Sequence, residues 1–419
     1  MTAPVAGAVV GPVEVGPVAH GGHCVARLDV GDGGPGRVVF VRHALPGERV
    51  LLSLTDTTHA RFWRADATEV LEASPERVEP RCPVAGPGLC GGCDWQHASL
   101  PEQRRLKTAV VAEQLQRLAG LTWEGVVEAV PVPGAPGVPV VDDGLDWRTR
   151  MRYQADADGR ASLRRHRSSD LVPVPDDGCP IASPRTPAVT DRRWPADVEL
   201  VAGGSPTGSS LLVDGTVTVT TGDAAPDGGL RETVHGRTYA VPPGGFWQVH
   251  PASATVLVDA VLAGLGPQPG ERAFDLYCGV GVFAGALVDA GCRVWGLESG
   301  RGAVAAARRN LADAGDRARF TADLVERGLR KMPQDVDLVV LDPPRSGAGA
   351  RVMREIVARR PRAIAYVACD PAALARDLAT AAQHGYVATS IRGFDLFPMT
   401  QHVECVAVLR PENRADLTG

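Results

Sequence analysis

Two residues near the C-terminus pair a nucleophile with a base at positions that a sheet would bring together. Cys369 follows the apolar run 363–367, which predicts a parallel strand, and it precedes Asp370 and Pro371. Glu404 begins the last apolar run. If that last strand runs antiparallel, its start lies beside the carboxyl ends of the parallel strands, and thiol and carboxylate face one pocket. The alternatives are a buried small hydrophobe for Cys369 and a solvated strand-start charge for Glu404.

This pair suits methylation of a carbon that is not nucleophilic by itself. A thiolate that adds to C6 of uracil makes C5 nucleophilic, and a carboxylate can later remove the C5 proton. Asp342 and Arg345 bracket two prolines after the preceding predicted strand. Enzymes that methylate exocyclic amino groups carry an aromatic residue where Arg345 stands, and cytosine-5 RNA enzymes carry a cysteine after the prolines. Chemistry at a carbon, with its nucleophile elsewhere, is therefore favoured.

A glycine loop at the end of the first predicted parallel strand indicates a cofactor site. It contains Gly279 and Gly281 after Asp275. Glycines let the backbone approach a ligand in the crevice at the carboxyl ends of the strands. Glu298 ends the second strand, where a carboxylate can accept hydrogen bonds from ribose hydroxyls. NAD binding would use a similar layout, and a tight turn without a ligand is the further alternative.

The length of 419 residues predicts two or three domains that hold these groups. Five short apolar runs predict a small OB-type barrel over residues 1–72; they are 5–10, 13–18, 38–41, 50–54 and 65–71. A central, mostly β domain is expected over 73–240, with a helix at 99–119 that Ser99 caps and that packs on the catalytic domain. Alternating strands and helices predict a doubly wound α/β domain over 241–419. The fold class is thus multidomain α/β.

Cys82, Cys90 and Cys93 form a cluster, with Cys179 distant in sequence. Nine cysteines in a chain without a signal peptide suggest metal binding or catalysis rather than disulfides. From spacing alone the four could hold zinc or an iron–sulfur cluster. Ordinary burial is expected for the remaining thiols other than Cys369. No apolar run is long enough to span a membrane, so we expect a soluble, cytoplasmic protein.

The net charge of −5 does not indicate a nucleic-acid partner, but a local excess of positive charge does. Arginines concentrate after residue 147, and alternation along a predicted strand would put the first three on one face. We predict a phosphate-binding surface from these arginines, with a solvated arginine-rich face as the alternative. The arginines are Arg148, Arg150, Arg152, Arg164, Arg165 and Arg167.

Together these residues resemble the RNA uracil-5 methyltransferase family, which makes 5-methyluridine, and the resemblance covers nearly the whole chain. It implies an RNA-binding TRAM domain in the first 70 residues, a [4Fe-4S] cluster on the four cysteines, and S-adenosylmethionine as methyl donor. It also implies Cys369 as nucleophile and Glu404 as base. The implied cofactor contacts are Gln248, Tyr277, Gly279, Gly281, Glu298, Asp323 and Asp342.

The chain departs from the family pattern at a few places. His250 and Val282 stand where many members carry Asn, which puts two polar contacts near the cofactor in doubt. Among the members with a TRAM domain and a cluster, 23S rRNA is the expected substrate. The alternatives are the same reaction on tRNA and a non-catalytic RNA-binding protein with a relict fold. A monomer that needs no protein partner is expected.

Overall fold

A computed structural model describes residues 5–31, 36–134, 142–186, 188–195, 197–202, 209–213, 216–221, 229–242 and 244–412. Within these ranges, no helix is long and apolar enough to cross a membrane.

The N-terminal residues form a closed five-stranded barrel in the order β1-β2-β3-β5-β4. The predicted runs 5–10 and 13–18 were wrong as separate strands, because residues 9–18 form one strand whose register shifts between Val10 and Val13. Strand β2 was missed because its short run lies between glycine turns. The strands are β1 (Val9–Val18), β2 (Cys24–Leu28), β3 (Arg37–Arg42), β4 (Arg49–Asp56) and β5 (Phe62–Glu72).

Helix α1 (Leu100–Ala119) begins where Ser99 accepts a hydrogen bond from the Glu102 N–H at 3.3 Å, and ends at Gly120 in the left-handed conformation. Its apolar residues divide between two cores. Leu106 and Val110 pack with the barrel, whereas Val111 and Leu115 pack with the C-terminal sheet. The helix therefore joins the barrel to the catalytic domain.

The central region forms a six-stranded sheet in the order β12-β11-β10-β7-β8-β9. Its core contains Met151, Tyr153 and Trp194. The strands are β7 (Arg150–Ala155), β8 (Ala161–Arg164), β9 (Leu171–Pro173), β10 (Val198–Ala202), β11 (Ser209–Val213) and β12 (Thr216–Thr221).

The C-terminal region carries an eight-stranded sheet in the order β17-β16-β15-β18-β19-β21-β20-β6. Strand β21 runs antiparallel to β19, as predicted for the last strand. The strands are β15 (Arg272–Leu276), β16 (Arg293–Glu298), β17 (Ala318–Ala322), β18 (Leu338–Leu341), β19 (Ala363–Ala368), β20 (Tyr386–Asp395) and β21 (Glu404–Pro411). The helices are α2 (Ser253–Leu265), α3 (Val282–Asp289), α4 (Arg301–Asn310), α5 (Val325–Gly328), α6 (Gly349–Val357) and α7 (Pro371–Ala382).

Two pieces of the predicted central domain belong to this C-terminal unit. Strand β6 (Val127–Ala129) pairs with β20 and so extends the catalytic sheet. The hairpin of β13 (Leu230–Val234) and β14 (Arg237–Val241) buries Tyr239 in the catalytic core. The predicted boundary at residue 241 was therefore too late, because the apolar side of the hairpin packs on the α/β sheet.

Candidate active site

Cys369 and Glu404 are brought together by the pairing of β19 with β21. The antiparallel register matches Val367 with Val406 and Ala368 with Cys405. One step further along the same register, Cys369 lies opposite Glu404. Directly opposite residues have Cβ atoms about 5 Å apart and point to the same face. That face is the one on which Val367 and Val406 enter the catalytic core.

The carboxyl of Glu404 is buried with little to stabilise its charge. Its residue is 2% exposed, and its carboxylate accepts no hydrogen bond from the part of the chain that the structure describes. Burial, and then the neighbouring Asp342, raise the pKa of Glu404 well above its usual value, while Arg345 acts in the opposite direction. Burial also raises the pKa of the half-buried Asp342 to about 7. Two carboxyls that share one site cannot both ionise easily.

The thiol of Cys369 is half-buried in the same pocket. Burial first, and then the charges of Glu404 and Asp342, raise the pKa of Cys369 to about 12, while Arg345 acts in the opposite direction. An N–H group of Arg345 also donates a hydrogen bond to Nε2 of His402 at 3.3 Å. Burial and Arg345 lower the pKa of His402 to about 4, so its neutral ring can accept this hydrogen bond. Arg345 is thus a cation whose charge acts on both Cys369 and Glu404.

A second cavity lies beside this pocket, at the carboxyl ends of the parallel strands. Four predicted cofactor contacts line it: Gln248, Tyr277, Gly279 and Asp342. Its volume is about 60 Å³, and Phe246, one of its lining residues, is 69% exposed. We call it the cofactor cavity; Asp342 in its wall is close enough to Cys369 and Glu404 for its charge to act on both.

Two of the remaining predicted cofactor contacts, Gly281 and Glu298, adjoin the glycine loop that lines this cavity. Gly281 has φ 92° and a Cβ there would meet Leu311 at 3.1 Å, so the turn into α3 requires glycine. The Glu298 carboxylate accepts hydrogen bonds from the N–H groups of Gly279 at 3.3 Å and Gly300 at 2.7 Å. The structure does not bring Asp323 to the cavity wall. Its carboxylate instead pairs with Lys331 at 2.8 Å.

The two positions that depart from the family pattern differ in the structure. Val282 lines the cofactor cavity, so an apolar side chain replaces a polar contact there. His250 is 1% exposed, is not part of the cavity wall, and stacks on Trp147 with ring centroids 6.2 Å apart. Asp275 is buried and was given no role of its own from the sequence. Its carboxylate accepts a hydrogen bond from the Ala284 N–H at 2.8 Å and so anchors the start of α3. Its place in the glycine-loop motif was the available signal.

The four predicted metal-ligating cysteines line one cavity of about 610 Å³. Two of the thiols receive hydrogen bonds: Cys90 from the Gly92 N–H at 3.4 Å, and Cys93 from the Gln96 side chain at 3.3 Å. Within the described ranges, no three Cys, His, Asp or Glu side chains stand close enough together to hold a single metal ion. We call this space the cysteine cavity.

The arginines predicted to form one phosphate-binding surface do not share a surface. Arg148, Arg152 and Arg164 line the cysteine cavity. Arg150 bonds to the Gly245 carbonyl, which ties β7 to the segment before the cofactor cavity. Arg165 and Arg167 line a groove of about 640 Å³ against the barrel, which we call the barrel groove. The predicted surface is divided because β8 ends at Arg164 and the chain turns at 166–167, which directs Arg165 and Arg167 toward the barrel.

A further cavity of about 420 Å³, the interdomain cavity, lies between the three parts of the molecule. Gly21 reaches it from the barrel, Arg148 from the central region, and Arg345 and His402 from the catalytic domain. His166 lines both this cavity and the barrel groove. The sequence reading assigned no role to His402, although it stands two residues before Glu404.

Comparison with known proteins gives the family. The profile of the tRNA (uracil-5-)-methyltransferase family matches residues 234–412. An uncharacterized RNA methyltransferase of Streptomyces avermitilis is 50% identical over 95% of this chain and 98% of its own. The 23S rRNA (uracil(1939)-C(5))-methyltransferase RlmD of Alkalilimnicola ehrlichii is 32% identical over 94% of this chain and 95% of its own. The chain belongs to the RNA uracil-5 methyltransferase family. It is an enzyme, which sets aside the alternative of a relict RNA-binding protein.

The fold has a counterpart among solved structures. The crystal structure of a Pyrococcus abyssi tRNA (uracil-54, C5)-methyltransferase in complex with S-adenosyl-L-homocysteine superposes with a TM-score of 0.68. The match covers 95% of this chain and 100% of that one, at 22% identity. At this identity the likeness concerns the fold, including the N-terminal barrel beside the methyltransferase sheet.

Proposed function

We propose that this enzyme methylates C5 of a uridine in 23S rRNA, with Cys369 as the covalent nucleophile and Glu404 as the base. The observation that carries the proposal is the register of β19 with β21, which sets the thiol opposite the buried carboxyl. The relative from Alkalilimnicola ehrlichii is named as a 23S rRNA methyltransferase and matches nearly the full chain. This likeness supports the choice of 23S rRNA as substrate.

The reaction follows from what each side chain can do. The Cys369 thiol gives its proton to water, its sulfur bonds to C6, and the C5–C6 π electrons move through C4 to O4, which makes C5 nucleophilic. Once C5 carries the methyl group, Glu404 takes the C5 proton. Those electrons restore the double bond, and the C6–S bond breaks. A carboxyl with a raised pKa is a stronger base once ionised, which suits this proton removal. The positive charge of Arg345 favours the thiolate and the enolate.

S-adenosylmethionine would supply an electrophilic methyl group when bound, and the side chains that line the cofactor cavity suit such a ligand. Gln248, Tyr277 and Asp342 would hold it from the wall, with Glu298 positioned for ribose hydroxyls behind Gly279. A side chain at Gly279 would point into open space, so the glycine leaves the backbone there accessible. Phe283 and Leu257 supply apolar surface.

Cys82, Cys90, Cys93 and Cys179 would hold a [4Fe-4S] cluster. Their shared cavity and the N–H···S hydrogen bonds to Cys90 and Cys93 support this assignment. A cluster held by four thiolates is anionic, and three arginines line the cavity: Arg148, Arg152 and Arg164. Bound there, the cluster would cross-link the segment 82–93 to residue 179. Anaerobically purified protein should be brown with about four irons per chain; stoichiometric zinc would contradict the cluster.

Two spaces that share His166 would carry RNA from the barrel toward Arg345 and His402. The barrel groove carries Arg42, Arg64, Arg165 and Arg167 and meets the interdomain cavity at His166. Beside the groove, Phe62 stacks on His59 with ring centroids 4.4 Å apart, and the Arg64 guanidinium lies 5.2 Å from the Phe62 ring centre. Arginines suit phosphates and aromatic rings suit unpaired bases, so the path fits a single-stranded stretch around a flipped-out uridine.

The test is methylation of 23S rRNA and tRNA transcripts with Cys369→Ala. We expect the wild-type enzyme to form 5-methyluridine in 23S rRNA, and Cys369→Ala to form none. The matched control is Cys405→Ala, which removes a fully buried thiol one residue from Glu404 and should retain activity. Product in tRNA alone would replace the substrate, and product from Cys369→Ala would overturn the nucleophile.

A further inference from the structure

The turn at residues 396–403 joins β20 to β21 and ends directly at Glu404. Its position therefore fixes where the proposed base stands. Met399, at its centre, is 6% exposed and has φ 66°, a left-handed conformation that an unbranched non-glycine residue adopts only when its surroundings impose it. The contacts that impose it come from another part of the chain.

Both backbone polar groups of Met399 bond to the segment that follows Cys93. The N–H groups of Asp94 and Trp95 donate to the Met399 carbonyl at 2.9 Å and 3.0 Å. The Met399 N–H donates to Oε1 of Gln103 at 2.7 Å. The Gln401 N–H donates to the Asp94 carboxylate at 3.0 Å. The turn is thus hydrogen-bonded at Met399 and at Gln401 to residues about 300 positions earlier in the chain.

Gln103 is itself fixed. It is fully buried, and its side-chain N–H groups donate to the carbonyls of Trp95 at 3.1 Å and Ala98 at 2.9 Å. One helical turn later, Lys107 donates to the Phe397 carbonyl at 3.0 Å and to Asp395 at 2.6 Å. A single face of α1 therefore holds both the beginning and the middle of the turn.

The turn is also joined to the cysteine cavity by apolar packing. Met399 shares one buried cluster with Cys93, Trp147 and Ile181, against which Cys179 packs. Asp94, which bonds to Gln401, directly follows Cys93 in sequence. A displacement of the cysteine-bearing loop would therefore move the hydrogen-bond partners of the turn.

We propose that Asp94 and Gln103 are positioning residues that hold Glu404 in place through the turn 396–403, so that the order of the cysteine-bearing loop controls proton removal. The catalytic consequence rests on the proposed role of Glu404 as base. The structural part does not, and each part has its own readout.

The structural part is tested by amide hydrogen exchange of the full-length protein. Gln103→Met keeps the length of the side chain but removes the acceptor of the Met399 N–H, so this amide should exchange at least about tenfold faster. Asp94→Ala should do the same at Gln401, and Asp94→Asn, which keeps one oxygen, should restore part of the protection. Cys93→Ser should increase exchange at both amides.

The matched control is Gln114→Met, because Gln114 is 2% exposed in the same helix and bonds to its neighbour Glu113 rather than to the turn. It should leave both amides as protected as in the wild type. Unchanged exchange at Met399 in Gln103→Met, or equal increases in Gln114→Met, would overturn the structural part.

The catalytic part is tested with RNA that carries tritium at C5 of uridine. In Gln103→Met, tritium release should slow by about tenfold relative to formation of the covalent RNA adduct, because addition precedes proton removal. Gln114→Met should keep the wild-type ratio, and Asp94→Asn should exceed Asp94→Ala in tritium release. Equal slowing of both steps in Gln103→Met would overturn the positioning role. An absence of adduct even in Glu404→Gln would instead contradict the proposed base, leaving the exchange result to decide the structural part.

Discussion

Two buried glutamates, one in the barrel and one at the edge of the catalytic sheet, meet opposite surroundings. Glu48 is fully buried, and its carboxylate accepts hydrogen bonds from the N–H groups of Leu45 at 2.8 Å and Ser74 at 3.1 Å, and from Arg77 at 2.6 Å. Burial alone would raise the pKa of Glu48, but these donors outweigh it and the pKa lies below its usual value. Glu404 is equally buried, lacks such donors among the described residues, and has a raised pKa.

The difference separates a structural carboxylate from the one that we propose to be reactive. A buried charge that is fully hydrogen-bonded is held in its ionised form and has a lowered affinity for a proton. A buried carboxyl beside another carboxyl, as Glu404 lies beside Asp342, holds a proton strongly, which suits the role of base that we propose for it. The barrel therefore gains stability from its glutamate, whereas the catalytic edge loses stability to keep its own available.

The largest expected effect comes from Glu404→Gln. The amide cannot accept the C5 proton, so turnover should fall by about 10³-fold, and an RNA–protein adduct should survive denaturing gels. The thermal midpoint of the same variant should equal or exceed that of the wild type at pH 8. This follows because a carboxyl with a raised folded pKa costs stability once the pH exceeds its unfolded value. A lower midpoint without adduct would make Glu404 a structural residue like Glu48.

The converse substitution, Glu48→Gln, should destabilise the protein by about 2 kcal/mol, because it removes the charge that Arg77 and two backbone N–H groups surround. Turnover by the folded fraction should not change. The lowered pKa of Glu48 makes its contribution present above the unfolded pKa and lost as the pH falls through the folded one. Glu48→Gln should therefore flatten the acid side of the stability curve, measured by amide exchange in β4. An unchanged acid limb would contradict this assignment.

A smaller effect should appear in the reactivity of Cys369. Because the pKa of Cys369 is about 12, its alkylation by iodoacetamide should keep rising with pH up to 10 without a plateau. Arg345→Gln removes a neighbouring cation that lowers this pKa, so alkylation should slow by about threefold to tenfold. Arg351→Gln, on the exposed face of α6, is the control. A plateau near pH 7 would mean that the thiolate is already stabilised in the free enzyme.

The sequence predicted that Cys369 and Glu404 lie together because both residues are adjacent to strand ends. Strand ends follow from apolar runs, and the antiparallel last strand then brings Glu404 to Cys369. It could not predict that the Arg148–Arg167 region divides among three cavities, because where a chain turns between strands depends on tertiary packing. The hydrogen bond between Gln103 and Met399 could not be predicted either, because the two residues are 296 positions apart and no local pattern connects them. Lys107 was the available signal, because it is a charged residue on the face of α1 that also carries Leu106, Val110 and Val111.

The smallest expected effect lies where barrel and catalytic domain meet near the nucleophile. His20 of the barrel contacts the Asp370 carboxylate at 2.9 Å, and Asp370 also caps α7 by accepting a hydrogen bond from the Ala373 N–H at 2.7 Å. His20 is more than a third exposed, so His20→Ala should cost well under about 1 kcal/mol. Asp370→Ala loses the cap as well and should cost about 1 kcal/mol or more. Equal losses of thermal stability in the two variants would mean that Asp370 contributes to stability through its contact with His20 and not through the cap of α7.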